Sequence, residues 1–188
     1  MKKTKWINGL GILSVFLLIS CESNFSGFGG PVYDREGNLE IDRGRINDYL
    51  RTAAFDSLYR IHDPSGLVVI VQEEGEGSRP MNGNVVYTNY IGMLTDGTVF
   101  DTNLEDVAQE NDIFNEERNY DIFTFFVGQP TNQGGAIEGF STGFRRLRSG
   151  SKGILVIPSP MGYQDNPNIP NIPANSILVF EVDFLGMD

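Results

Sequence analysis

The sequence predicts an α+β domain: an antiparallel sheet of about five strands wrapped on one short helix, with an extra helix ahead of it. Three observations predict it. Short runs rich in β-branched and aromatic residues recur from Leu67 to Leu185, separated by turn-forming Gly, Asp, Asn and Pro. The last run alternates, with Leu178, Phe180, Val182 and Phe184 on one face and Glu181 and Asp183 on the other, as a strand with one dry and one wet face requires. Helical spacing occurs in two places, once before the strands and once among them.

Along the chain, residues 1–20 form a secretory signal: a basic start (Lys2, Lys3, Lys5) followed by an apolar run from Leu10 to Ile19. The run ends at Leu18-Ile19-Ser20-Cys21, which resembles the bacterial lipoprotein box, in which the Cys becomes the acylated first residue of the mature chain. Two or more acyl chains hold a protein on a membrane stably where one does not. An ordinary signal peptide with a chance Cys is the alternative. Residues 21–41 are rich in Gly, Ser, Asn and Pro and read as a flexible tether. Residues 42–66 read as a helix and turn: Ile46, Leu50, Ala53/Ala54 and Leu58 fall three and four apart, Asp42 can cap the start, and His62-Asp63-Pro64-Ser65-Gly66 breaks the chain. This helix packs on the domain behind it or, alternatively, serves a partner. His62 reads as a surface turn residue.

The domain proper is expected over 67–188. Strands are expected at Leu67–Gln72, Asn84–Leu94, Val99–Asp101, Ile122–Val127, Gly153–Pro158 and Ile177–Leu185, with a tight Asp-Gly turn at Asp96-Gly97. A helix is expected at Glu138–Leu147, where Ile137, Phe140, Phe144 and Leu147 make one apolar stripe.

Composition narrows the function. The 188 residues carry 14 Lys+Arg against 25 Asp+Glu, a net charge of -11, which speaks against a nucleic-acid partner. One Cys and one His argue against a disulfide framework, a Cys/His zinc site and a Ser-His-Asp triad of the usual kind. No Walker loop, Gly-x-Ser-x-Gly or His-Glu-x-x-His is present. Aromatic residues stand at strand ends and turns: Tyr90, Phe100, Phe123, Phe140, Tyr163 and Phe180.

The order of motifs is more specific. Tyr90-Ile91-Gly92-Met93-Leu94 followed by Asp96-Gly97-Thr98-Val99-Phe100-Asp101 closely resembles the FKBP-type peptidyl-prolyl isomerases, whose segment reads Y-x-G-x-L-x-D-G-x-x-F-D. The resemblance continues through Phe123–Gly128, Ala136–Phe140, Gly150-Ser151-Lys152, Ile157-Pro158, Tyr163 and Ile172–Val182, and covers roughly 67 to 188. The signal and upstream helix also look like isomerase lipoproteins of the Bacteroidetes type, some linked to gliding motility.

The resemblance implies that Tyr90, Phe100, Phe123, Ile137, Phe140 and Phe180 wall a proline pocket. It implies that the Ile137 N–H and the Tyr163 hydroxyl bind substrate carbonyls, and that Asp101 is a polar pocket residue rather than a base. A surface Asp in a hairpin is the alternative for Asp101. It implies no cofactor and no metal. The expected function is a peptidyl-prolyl isomerase acting on proline-containing clients exported from the cell. It would be anchored through Cys21 in the bacterial envelope, facing periplasm or cell surface. The alternative is a proline-peptide-binding module with little catalysis. The chain departs from the family in three places. Phe140 stands where the family usually has a floor Trp. Asn103–Asp121 is long and acidic, and reads as a flap, a client contact or a solvated loop. The connections Gln129–Gly135 and Asn166–Asn175 are extended, the latter with Pro167, Pro170 and Pro173 three apart, as a polyproline-like rim or a turn-rich loop.

Overall fold

Seven antiparallel strands form a single sheet in the structure, a computed structural model that describes residues 32–188. The signal, Cys21 and most of the expected tether lie outside the described residues. The strands are β1 (Tyr59–His62), β2 (Val68–Glu73), β3 (Val85–Leu94), β4 (Val99–Thr102), β5 (Phe123–Phe126), β6 (Lys152–Ile157) and β7 (Leu178–Met187). The order across the sheet is β1-β2-β6-β7-β3-β4, with β5 also on β3. β3 pairs with β7 from Val86 to Leu94, and its other edge is shared: β5 takes Val85–Thr88 and β4 takes Ile91–Met93. β3 therefore holds three partners. The α+β class stands, with seven strands rather than about five. Six of them match the expected runs within one or two residues.

The seventh, β1, falls where the sequence predicts helix. The first helix, α1, runs Arg35–Thr52, whereas the expected one starts at Asp42 and carries Leu58 on its stripe. Asp34 caps it by accepting the Gly37 N–H at 2.9 Å. Asp42 is thus no cap but an interior, buried residue, and the expected tether already becomes helix at Arg35. Leu58, expected on the helix stripe, is 66% exposed at the start of the β1 hairpin. The misreading has a physical cause. Most of α1 is polar on every side, so hydrophobic spacing marks neither end. His62 ends β1 and is exposed.

Both faces of the sheet are dry over its centre. One face packs on α3 (Glu138–Phe144) in a core that includes Leu67, Val69, Phe125, Phe144, Leu155 and Phe184. Gly139 lets α3 lie directly on β6, since a Cβ there would run into the Ile157 side chain. The other face, expected to meet water, carries Val68, Ile70, Ile154, Val156 and Val179, and Ile46 of α1 packs onto them. The sequence signal is the unbroken apolar character of β2 and β6, which differs from the alternation of β7. Among the described residues, no helix is long and apolar enough to cross a membrane.

The turn after β1 is tied to the segment after α3. Asp63 Oδ2 accepts from Arg146 Nε at 2.8 Å and from its Nη2, and Asp63 Oδ1 accepts the Ser65 hydroxyl at 2.7 Å. Burial alone would raise the Asp63 carboxyl. The hydrogen bonds from Ser65 and Arg146 outweigh it and hold the group below the ordinary carboxylate value. A folded value below the unfolded one adds stability above the unfolded value of about 4, and that contribution disappears as pH falls through the folded value. Asp63→Asn is therefore expected to lower stability at pH 6 and to flatten its decline between about pH 4 and 2. Urea melts across that range check it; an unchanged acid slope contradicts the assignment.

Candidate active site

Gly92 decides where the aromatic rings meet. It lies on β3, two residues from Tyr90, and a Cβ there would come within 2.9 Å of the Phe100 and Phe180 rings. Only a residue without a side chain lets both rings lie on the strand. Phe100 and Phe180 then meet edge-on with centroids 5.6 Å apart. Phe180 also packs against Phe140 at 5.1 Å, and Tyr90 lies 5.2 Å from Phe123 and 6.0 Å from Phe140. Edge-to-face pairs of this kind add about 0.5–1.5 kcal/mol each beyond the area they bury.

These rings enclose a cup of about 110 Å³. Tyr90, Phe123, Ile137, Phe140, Tyr163 and Phe180 line it, together with Thr131, Gly135 and Ala136. Phe140 is 3% exposed at its base. Phe100 is not among the lining residues; it supports Phe180 from behind. Asp101 is also off the lining and acts on it through Tyr90. Thr131, Gly135 and Ala136 were missed by sequence reading. They belong to the extended connection after β5, where a 3-10 turn (Thr131–Gln133) folds the chain back over the cup.

The polar edge is built by β3, β4 and the long connection after β4. The Tyr90 hydroxyl donates to Asp101 Oδ2 at 2.6 Å. Arg118 Nη1 donates to Asp101 Oδ1 at 2.5 Å, and its Nη2 reaches the Tyr90 hydroxyl at 3.2 Å. Burial first, and then the charge and hydrogen bond of Asp101, push the Tyr90 phenol far above its ordinary value. Burial and the same charge raise the Tyr163 phenol. Both phenols are thus neutral donors near neutral pH. Among the described residues, the Ile137 N–H donates to no protein acceptor, while its carbonyl accepts the Ser141 N–H.

Arg118 was also missed, although it is the one cation between Asn103 and Asp121. That connection is no simple solvated loop. It contains α2 (Glu105–Glu110), buries Ala108, and stacks Phe114 on Tyr120 at 5.5 Å. Asn103 pins its two ends: its Oδ1 accepts the Tyr90 N–H at 2.8 Å and its Nδ2 donates to the Asp121 carbonyl at 3.1 Å. The other connection, Asn166–Asn175, is turn-rich and not polyproline-like, since Asn171 and Asn175 take left-handed φ of 61 and 58 degrees. Among the described residues, no group of three or more His, Cys, Asp or Glu could hold a metal ion.

Comparison with known proteins fits this geometry. A family model described as FKBP-type peptidyl-prolyl cis-trans isomerase matches residues 76–185, more than half of the chain. The chain belongs to the FKBP-type peptidyl-prolyl isomerase family. The FK506-binding protein of Neisseria meningitidis serogroup B is 32% identical over 120 residues, covering 64% of this chain and 94% of that protein. FK506-binding protein 4 of Rhizopus delemar is 34% identical over 124 residues, covering 66% of this chain and 28% of that one. The crystal structure of FkpA from Escherichia coli superposes with a TM-score of 0.58 at 26% identity, covering 81% of this chain and 60% of that chain. In sequence, FkpA is 32% identical over 125 residues, which is 38% of its length. The sequence matches thus span 28% of the fungal protein and 38% of FkpA, less than two thirds of either relative's length.

The FKBP cup rests on Gly92. Gly92→Ala is expected to cost about 1–3 kcal/mol, the usual penalty for overfilling a packed core, and to alter the near-ultraviolet circular dichroism of the rings. Denaturant melts and that spectrum check it. An alanine variant with wild-type spectrum and stability would contradict the ring placement.

Proposed function

We propose that the domain catalyses cis–trans isomerisation of Xaa-Pro bonds. The observation that carries this is the aromatic cup floored by Phe140, with neutral donors at its edge. Rotation about the bond is slow because amide resonance must be broken, a barrier of about 18–20 kcal/mol for ordinary peptide bonds. No covalent bond is made, and no proton passes between enzyme and substrate. The twisted amide is less dipolar than the planar one. A dry apolar cup therefore disfavours the planar ground state relative to the twisted state, and hydrogen bonds that fit only the twist lower the barrier further.

Each residue has a part in this reading. Tyr90, Phe123, Phe140 and Phe180 hold the prolyl ring, with Phe100 as backing. The Ile137 N–H and the Tyr163 hydroxyl bind peptide carbonyls on either side of the bond. Asp101 is not a base: both of its oxygens are occupied, one by Tyr90 and one by Arg118, so it orients the Tyr90 ring. A weakly catalytic proline-binding module is the second reading. It is favoured by Phe140 in place of the larger floor residue usual in the family.

The substrates in this proposal are proline-containing segments of exported proteins. The domain works at a membrane of the bacterial envelope, attached by acyl chains on Cys21, and it assists folding there. Support for this part comes from the basic start, the apolar run and the position of the sole Cys. Cys21→Ala is expected to move the protein from the membrane fraction to the soluble one. An intact mass without acyl chains on wild-type Cys21 would overturn the anchor.

A protease-coupled assay on an uncharged Xaa-Pro peptide tests the reaction. Turnover is expected, with kcat/KM nearly constant between about pH 6 and 8, because the phenols at the cup titrate well above that window and only an ordinary His titrates inside it. A bell-shaped profile there would mean proton transfer. Peptide binding without turnover would select the binding module.

A further inference from the structure

Tyr163 is the one aromatic residue of the cup that no strand or helix carries. It follows a 3-10 turn, Ser159–Met161, in the long connection between β6 and β7. That turn is held from outside the FKBP sheet, by α1. Asp42, 1% exposed in the middle of the helix, places Oδ2 2.7 Å from the Ser159 N–H, which donates to it. Arg45 occupies the other oxygen at 3.0 Å and also donates to the Asn175 carbonyl at 3.0 Å, at the far end of the same connection. Arg35 Nη1 donates to the Pro160 carbonyl at 2.7 Å, and its Nη2 pairs with Glu138, next to Ile137. Tyr33 meets the Ser159 hydroxyl at 3.3 Å.

These contacts are unequal. The Arg35–Glu138 pair is half-exposed, and pairs of that kind contribute little. The Asp42–Ser159 bond joins a buried side-chain oxygen to a buried backbone donor, and leaving either one unpaired is costly. Ser159 in turn supplies the carbonyl that accepts the Gly162 N–H at 3.0 Å and the Gln164 N–H at 3.1 Å, one residue on each side of Tyr163. Asp34 already caps α1, so a polar residue buried in the middle of that helix has no capping role to explain it.

We infer that Asp42 is a positioning residue for the isomerase reaction: through Ser159 it fixes the Tyr163 hydroxyl at the cup. The inference rests on the isomerase reading, and its test keeps the two apart. Asp42→Ala removes the acceptor. Asp42→Asn keeps an oxygen for the Ser159 N–H while losing the pair with Arg45. Val68→Ala loosens the same helix-to-sheet interface without touching the turn, and serves as a control for stability alone.

At a temperature where every variant is folded, Asp42→Ala is expected to lower kcat/KM about tenfold, in line with the sensitivity of rate to small displacements of a binding group. Asp42→Asn should stay within about twofold of wild type and Val68→Ala unchanged. In a Tyr163→Phe background, Asp42→Ala should cost less than about twofold more, because the two act as one unit. Amide exchange across 159–164 should accelerate in Asp42→Ala and not in Val68→Ala. Additive losses in the double variant, equal losses in Asp42→Ala and Val68→Ala, or unchanged exchange across 159–164 would each overturn the inference. If wild type shows no turnover, the isomerase reading fails and the catalytic role of Asp42 fails with it. The exchange arm then still decides whether Asp42 holds the turn.

Discussion

Phe140 touches five other aromatic rings: Tyr90, Phe123, Phe125, Phe144 and Phe180. Phe125 and Phe144 belong to the interior; Tyr90, Phe123 and Phe180 face the cup. One ring thus ends the hydrophobic core and floors the site. This constraint organises much else. α3 must lie flat on β6 to bring Phe140 forward, so Gly139 has no side chain. β3 must pass close behind Phe180, so Gly92 has none. Site and core are one packing problem, and neither can be altered without the other.

The second constraint is the dryness of both sheet faces. β2 and β6 carry large aliphatic side chains on each side, and exposing one of those faces would leave Val68, Ile70, Ile154 and Val156 in water. At roughly 1.5–3 kcal/mol for each such side chain, covering them is a substantial part of stability. α1 does this with few apolar residues, chiefly Ile46 with Tyr49 and Leu50 beside it. The rest of its attachment is polar: Asp42, Arg35, Arg43 and Arg45 all bond to loops at the rim of the sheet.

That division explains what the sequence made legible. Strands with strong alternation or apolar runs were readable to within a residue or two; α3 was readable at its start, but it ends at Phe144, three residues before the expected Leu147. The ring-bearing positions were readable because Tyr90, Gly92, Phe100 and Asp101 sit at fixed spacing around a tight turn. α1 was misplaced because its fold-determining contacts are polar, and polar contacts leave no periodic trace. Asp42 looked like a cap by residue type, and only its burial shows otherwise. β1 was hidden because Leu58, four residues after Ala54, carries the spacing of Ile46 and Leu50 up to its first residue. Arg118 is separated from Asp101 by 16 residues, so no local pattern joins them. Thr131, Gly135 and Ala136 reach the cup by a chain reversal whose shape no residue count reveals.

The walls of the cup differ in how they are held. Tyr90 stands on β3, whose backbone is bonded on both sides, so that wall opens only if the sheet opens. Tyr163 stands on a connection fixed by side-chain bonds to a helix at the rim. Segments of that second kind open at lower free energy than central strands. The cup therefore has a stiff half and a compliant half. In the isomerisation proposed above, a prolyl ring settles against the stiff half, and the compliant half accommodates whatever residues flank it. Under that proposal, tolerance toward different peptides is a mechanical property of one loop, set at a distance by the helix that braces it.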